Sequence, residues 1–155
     1  NHVFLHIILA VRGDDCFIKS SFRGELEGYI CGIALGMDSE VCAVYCHYDH
    51  LHIFFMISPD ISIDEFVSVI KRGSVRIAEN AGWVGKGKFS WHKNYAVFSY
   101  SPCEVDAVVK YIKGQREYHK TVSFREEFIE FLNIFDIDYD EDNLFDEDDS
   151  TEDEA

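Results

Sequence analysis

His50-Leu51-His52-Ile53-Phe54-Phe55-Met56-Ile57 is an apolar run that opens with two histidines one residue apart. Strand side chains alternate between faces, so as a strand it sends His50 and His52 out of one face, about 7 Å apart along the chain. Leu51, Ile53 and Phe55 then make up the opposite, wholly apolar face, and the histidines share theirs with Phe54 and Met56. Such a mixed face suits a lined pocket better than open solvent. Two imidazoles so placed can share one divalent metal; the plainer alternative is a pair that is only hydrogen-bonded or solvated on a sheet.

Working outward, Val41 to Cys46 reads as a strand, and His47-Tyr48-Asp49 is a short connection that makes an antiparallel hairpin with the run at His50. Val3 to Val11 is β-rich and reads as a buried strand ending in a turn at Arg12-Gly13-Asp14-Asp15. Ser20 or Ser21 is the expected cap of a helix with Leu26, Tyr29, Ile30, Ile33 and Leu35 at helical spacing, closing at Gly36. Ser62 and Glu65 predict a capping box for a helix ending near Asn80-Ala81-Gly82, with Phe66, Val67, Ile70 and Ile77 on its apolar side. Gly85-Lys86-Gly87-Lys88 reads as a loop without the glycine-lysine-hydroxyl pattern of a P-loop, and Tyr95 to Ser99 as a short fourth strand. Ser101-Pro102-Cys103-Glu104 is a strong helix start, leading to a core stripe of Val105, Val108, Val109 and Ile112. Tyr111 and Gln115, four residues apart, are expected one above the other on the flank of that stripe. A second box, Ser123 to Glu126, opens a helix through Phe128, Ile129, Phe131 and Leu132. The fold class is α+β, an antiparallel sheet of about four strands with helices packed on it.

The 155 residues suit one domain with a real core, 47% hydrophobic and 15% aromatic. No stretch approaches the roughly 18 apolar residues of a membrane span, so no membrane partner is expected, and the opening Asn1-His2-Val3-Phe4-Leu5-His6 does not read as a secretory signal. Five irregularly spaced cysteines (Cys16, Cys31, Cys42, Cys46, Cys103) read as thiols in a reducing cytoplasm. The net charge of −15 is uneven: 12 of the 29 acids lie between Asp136 and Ala155, where there is no Lys or Arg, leaving 17 acids against 14 bases in the body. That end reads as an acidic tail, partly disordered. Lys71, Arg72, Arg76, Lys86, Lys88 and Lys93, interleaved with Trp83, Phe89 and Trp91, face only Glu79 as an acid. This composition is expected where a nucleic-acid single strand is held by its phosphates and stacked through its bases. It equally suits a solvated face beside core aromatics.

Two imidazoles, an amide oxygen and a phenol are the groups that metal-assisted attack on a phosphodiester requires. Each has a plainer reading: a flank tyrosine covering a core edge, a surface glutamine. A zinc site drawn from Cys42, Cys46, His47, His50 and His52 is a rival, although structural zinc sites usually take paired ligands from tight turns, which are absent here.

The order of parts is more specific than any one of them. Asp49-His50-Leu51-His52, Lys88-Phe89-Ser90-Trp91, Tyr95-Ala96-Val97-Phe98-Ser99 and Tyr111-Ile112-Lys113-Gly114-Gln115, across most of Val3 to Tyr139, make the chain resemble the single-tyrosine HUH transposases. These are the insertion-sequence-200/605-like and REP-associated group. Tyr48 stands where that family commonly has proline, and Ala96-Val97 replaces a glycine-containing version; neither removes a chemical group. The resemblance implies a ferredoxin/RRM-like HUH nuclease domain over residues 1–135, with 136–155 as the tail. It further implies His50, His52 and Gln115 as ligands of Mg²⁺ or Mn²⁺, and Tyr111 as the nucleophile that forms a 5′-phosphotyrosine. DNA contacts would fall to Lys71, Arg72, Arg76, Lys86, Lys88, Trp91 and Lys93. The implied partners are single-stranded DNA, often as a hairpin, and a second copy in a homodimer; the implied location is the bacterial cytoplasm, at the nucleoid when DNA-bound. The alternative within the same resemblance is an inactive or domesticated relative that grips hairpins without cutting.

Overall fold

Strands β1 (Phe4–Val11), β2 (Glu40–Cys46), β3 (His50–Met56) and β4 (Trp91–Tyr100) form one antiparallel sheet in the order β2-β3-β1-β4. The structure, a computed structural model, describes residues 2–12, 18–140 and 144. Helix α1 (Ser20–Gly36) joins β1 to β2, and α2 (Ile63–Asn80) joins β3 to β4. That β-α-β-β-α-β sequence with β1 and β3 central is the ferredoxin-like arrangement. A 3₁₀ turn at Pro102–Glu104 then leads into α3 (Val105–Lys113), α4 (Gln115–Tyr118) and α5 (Phe124–Ile134).

Alternation along the two central strands separates two chemistries. Leu5, Ile7 and Leu9 of β1 and Leu51, Ile53 and Phe55 of β3 face α1 and α2, where they bury against Leu26, Ile30, Phe66, Val67 and Ile70. The Phe55 and Phe66 rings stack at 4.0 Å. Complete burial of each such side chain contributes about 1.5–3 kcal/mol, so this layer holds the fold together. On the other face, Ala10 pairs with His50, Ile8 with His52 and His6 with Phe54. Here α3 supplies Val108 and Ile112, and α5 supplies Phe124 and Phe131. The histidine face is therefore covered by the C-terminal helices, and His6, His50 and His52 are all fully buried.

Several elements differ from their sequence reading. The fourth strand runs from Trp91 to Tyr100, twice the expected length, because β1 shifts register between Leu9 and Val11 and goes on to pair Val11 with Trp91. Helix α1 has Lys19 at its N-cap with no side-chain cap, so neither Ser20 nor Ser21 plays that part. The single helix expected to carry both Tyr111 and Gln115 ends at Lys113: Gly114 (φ −88°, ψ 4°) leaves helical geometry, and Gln115 opens α4. The capping boxes at Ser101 and Ser123 form as read, whereas at Ser62 only the serine half of the expected box forms, its side chain accepting from the Glu65 N–H. Gly82 takes φ +75° just beyond α2, a conformation that glycine adopts without strain. The turn expected at Arg12 to Asp15 lies, after Arg12, outside the described residues, as do Cys16 and residues 141–143 and 145–155 of the acidic tail. Chain order persists past Ile134: Phe135 packs on Phe98, and the Ile137 N–H donates to the Leu132 carbonyl.

Helix α1 carries exposed glycine at positions where a Cβ would meet nothing within 4 Å, Gly28 among them. Replacing Gly28 by Ala removes unfolded-chain freedom at no steric cost, so Gly28→Ala should raise unfolding stability by about 0.4–1 kcal/mol in a denaturant titration. An unchanged or lowered midpoint would contradict the open space around Gly28.

Candidate active site and metal centre

Strand β3, helices α3, α4 and α5, and the segment after α4 each bring at least one polar group to the same point. From β3, the Nε2 atoms of His50 and His52 lie 3.5 Å and 3.3 Å from Glu127 Oε1. From the segment after α4, His119 Nε2 lies 3.2 Å from the same oxygen. Gln115, at the start of α4, donates from Nε2 to Glu127 Oε2 at 2.6 Å, and Tyr111 of α3 donates its hydroxyl to that oxygen. Glu127 belongs to α5, where it falls between Phe124 and Phe131 on the buried side, and it is only 1% exposed.

The far sides of the imidazoles are also engaged. His50 Nδ1 is 2.7 Å from Asp49 Oδ1, and His119 Nδ1 is 2.7 Å from the Val122 carbonyl oxygen. Carboxylate and carbonyl oxygens only accept, so both Nδ1 atoms carry the proton and both Nε2 atoms are turned inward. His52 Nδ1 is 2.7 Å from His6 Nε2, which makes His6 the group that orients His52. The Nε2 atoms of His50 and His119 and the Oε1 atom of Gln115 are buried without a hydrogen-bond partner. Orphaned acceptors of this kind are costly in a core and are what metal ligands look like without their ion. One donor atom each from His50, His52, His119 and Glu127 lie within 4.8 Å of one another. The residues present therefore fit a divalent cation.

Burial decides the protonation of this cluster. It pushes His50 down from 6.5 to about 4, against the pull of the Asp49 carboxylate. His6 is likewise lowered by burial, with His52 adding to the effect. Burial opposes the charge of Glu127, but the neighbouring His119, His52 and Tyr111 hold its carboxyl well below the usual range. For His119 burial pulls downward too, yet Glu127 and the Val122 carbonyl raise it overall. Burial and then the Glu127 charge push the Tyr111 phenol strongly upward. Beside it, Tyr111, Tyr118, Glu127, Glu130, Phe131 and Ile134 line a cavity of about 120 Å³ that gives the site a mouth.

The structure thus brings together His50, His52, Gln115 and Tyr111. The basic stretch is placed differently. Trp91 is 5% exposed and donates its indole N–H to Ser74 Oγ at 2.8 Å, and Phe89 is buried with it, so neither ring presents a face for a base to stack on. The aromatic residues of that stretch belong to the core because β4 starts at Trp91. Lys71 donates to the carbonyls of His92 and Lys93, both at 2.9 Å, and straps α2 to β4. Arg72, Arg76, Lys86, Lys88 and Lys93 are exposed, the arginines on α2, in the layer across the sheet from the histidines. The cysteine-histidine zinc alternative is not assembled: Cys46 is buried in the opposite core, Cys42 packs by α3, and the four described cysteines are free. Sequence reasoning missed His6, His119 and Glu127. Glu127 had a signal, a carboxylate three residues after Phe124 and four before Phe131 on one helical stripe; His119 had none.

A ferredoxin-like sheet that offers a His-x-His strand to a tyrosine on a neighbouring helix defines the HUH fold. Within it, this chain belongs to the family described as "Transposase IS200 like", whose model matches residues 1–115. Two solved structures share the fold. A protein of Deinococcus radiodurans R1 assigned as a transposase aligns at TM-score 0.57 and 22% identity, over 74% of this chain and 92% of that one. A REP-associated tyrosine transposase bound to a REP hairpin aligns at TM-score 0.59 and 14% identity, over 77% of this chain and 70% of that one. No curated protein matches the chain. No helix among the described residues is long and apolar enough to cross a membrane.

The cluster makes stability depend on pH. Between pH 6.5 and about 4 the unfolded chain binds a proton that folded His50 refuses, so stability falls as pH falls through that window. This one group accounts for about 3 kcal/mol. His6 and Glu127 act in the same direction, since the stabilisation from a depressed carboxylate is lost on acidification; His119, raised, acts oppositely. Melting in EDTA should therefore give a markedly lower Tm at pH 4.5 than at pH 7, and a flat profile would contradict the buried neutral His50.

Proposed function

We propose that this protein is a metal-dependent transposase that cleaves and rejoins single-stranded DNA through a tyrosine. One observation carries the reading: the Tyr111 hydroxyl, the Gln115 amide and the inward Nε2 atoms of His50 and His52 meet at one buried point beside an accessible cavity. His50, His52 and Gln115, through its unpartnered Oε1, would hold Mg²⁺ or Mn²⁺. Such an ion supplies neutralisation of charge on the phosphate oxygens.

The chain's own groups do the rest. The Tyr111 oxygen attacks phosphorus, and its proton passes to Glu127 Oε2, already its hydrogen-bond acceptor. The O–P bond to tyrosine forms as the bond from phosphorus to the 3′-oxygen breaks, and that oxygen takes up a proton as a 3′-hydroxyl. The product is a 5′-phosphotyrosine, reversed when a different 3′-hydroxyl attacks, with no nucleotide consumed. A raised phenol makes the acceptor necessary, since an unaided Tyr111 stays protonated at neutral pH. The proximity of Tyr111 to His52 of its own chain, 6.2 Å between ring centroids, favours use of the tyrosine within one subunit. The exposed Arg72, Arg76, Lys86, Lys88 and Lys93 are the proposed grip on DNA phosphates. A hairpin substrate is part of the same proposal, supported by the hairpin-bound neighbour; a homodimer is proposed with it from the resemblance alone.

With Mn²⁺ and a hairpin-bearing single strand, the protein should form a covalent adduct that survives denaturing electrophoresis; Tyr111→Phe and His50→Ala should abolish it. Adduct from Tyr111→Phe would sink the mechanism. Tight binding with no adduct from the unaltered protein would instead indicate a hairpin-gripping relative. Lys86→Glu with Lys88→Glu should weaken binding to all sequences alike and flatten its salt dependence by about one unit of slope per lost phosphate contact.

A further inference from the structure

We infer that the metal centre extends beyond the His-x-His pair and Gln115 to His119 and Glu127, and that it takes a nitrogen-preferring transition dication in preference to Mg²⁺. This rests on the metal-binding reading of the site given above. Both added residues follow residue 115, where the family match stops.

The geometry of His119 is that of a ligand. Its ring is 3% exposed, its Nδ1–H is committed to the Val122 carbonyl at 2.7 Å, and its Nε2 is buried without a hydrogen-bond partner. The same construction holds His50 on Asp49 and His52 on His6. Asp49, His6 and the Val122 carbonyl thus brace the outer nitrogens of three imidazoles whose inner nitrogens converge, which sets tautomer and ring orientation. Glu127 adds the anionic ligand: Oε1 lies 3.2–3.5 Å from all three Nε2 atoms. The four donor atoms fall within 4.8 Å of one another, close to the span of about 4 Å that bonds near 2.1 Å require.

Ligand chemistry then selects the ion. Mg²⁺ prefers oxygen ligands in a near-ideal octahedron and keeps its waters. A set of three imidazoles with one carboxylate suits Zn²⁺, Co²⁺, Ni²⁺ or Mn²⁺. The cavity walls of Glu127 and Glu130 give the entry path a negative charge that favours any dication.

The test is dication binding by the full chain, stripped with EDTA and titrated calorimetrically with ZnCl₂, CoCl₂, MnCl₂ and MgCl₂; the Co²⁺ visible spectrum reports its ligands. His119→Asn is the informative variant, because asparagine retains a donor for the Val122 carbonyl and lacks Nε2. Glu127→Gln keeps the shape of the carboxylate, and if one variant fails to fold by circular dichroism the other decides. Zn²⁺ or Co²⁺ should bind at least about 100-fold tighter than Mg²⁺. Each variant should lose more than the ~10–100-fold typical of an outer-shell change, with an altered Co²⁺ spectrum. Binding that is lost in His50→Ala but unchanged in both variants would overturn this inference and leave the three-ligand site standing. Mg²⁺ affinity equal to that of Zn²⁺ would overturn it as well. Failure of the unaltered protein to bind any dication would overturn it together with the metal-dependent reading.

Discussion

The histidine face depends on one buried carboxylate. Removing Glu127 from water is expensive, since an isolated carboxylate in an apolar core is not tolerated. The expense is met by donors from three separate segments, Tyr111 on α3, Gln115 on α4 and His52 on β3, with His119, between α4 and α5, 3.2 Å away. Because those segments are distant in sequence, satisfying the carboxylate also fixes how the C-terminal helices dock on the sheet. A single group thus ties site geometry to tertiary structure, and loss of any one donor leaves charge or lone pairs unsatisfied.

The sheet makes this possible by dividing labour. Its α1/α2 side is almost wholly apolar, with Ile7, Ile53 and Phe55 fully buried, and supplies cohesion. That leaves the other side to carry the polar cluster. Even there the polar cluster is walled by rings: Phe124 stacks on His50 at 4.0 Å, and Phe131 sits 5.3 Å from His6 and 5.7 Å from Tyr111. The surrounding low dielectric strengthens each polar contact and keeps His50 neutral, so its Nε2 remains available as a ligand.

Much of this was legible locally. Strand alternation placed His50 and His52 on one face, and serine-to-glutamate spacings located the starts of the helices at Ser101 and Ser123. The fourth strand exceeds its sequence reading because its first residue, Trp91, pairs with β1 only after a bulge that no pattern in β4 announces. The interleaving of bases with Trp91 and Phe89 resembled a stacking surface, whereas the rings turn inward and only the charged ends stay in water. Tyr111 and Gln115 met at the site despite the helix break at Gly114, since a turn of altered geometry still keeps residues four apart on neighbouring positions.

By itself, the sequence determined the strand–helix order, the pairing of His50 with His52, and the presence of a tyrosine and an amide one turn apart. These rest on periodicity and capping, which act over a few residues. Tertiary structure alone decided that His6, His119 and Glu127 join them, and that the basic stretch does not. Those outcomes depend on which faces of distant elements are pressed together, and the burial that gives the buried carboxylate its partners exists only once the helices have closed on the sheet.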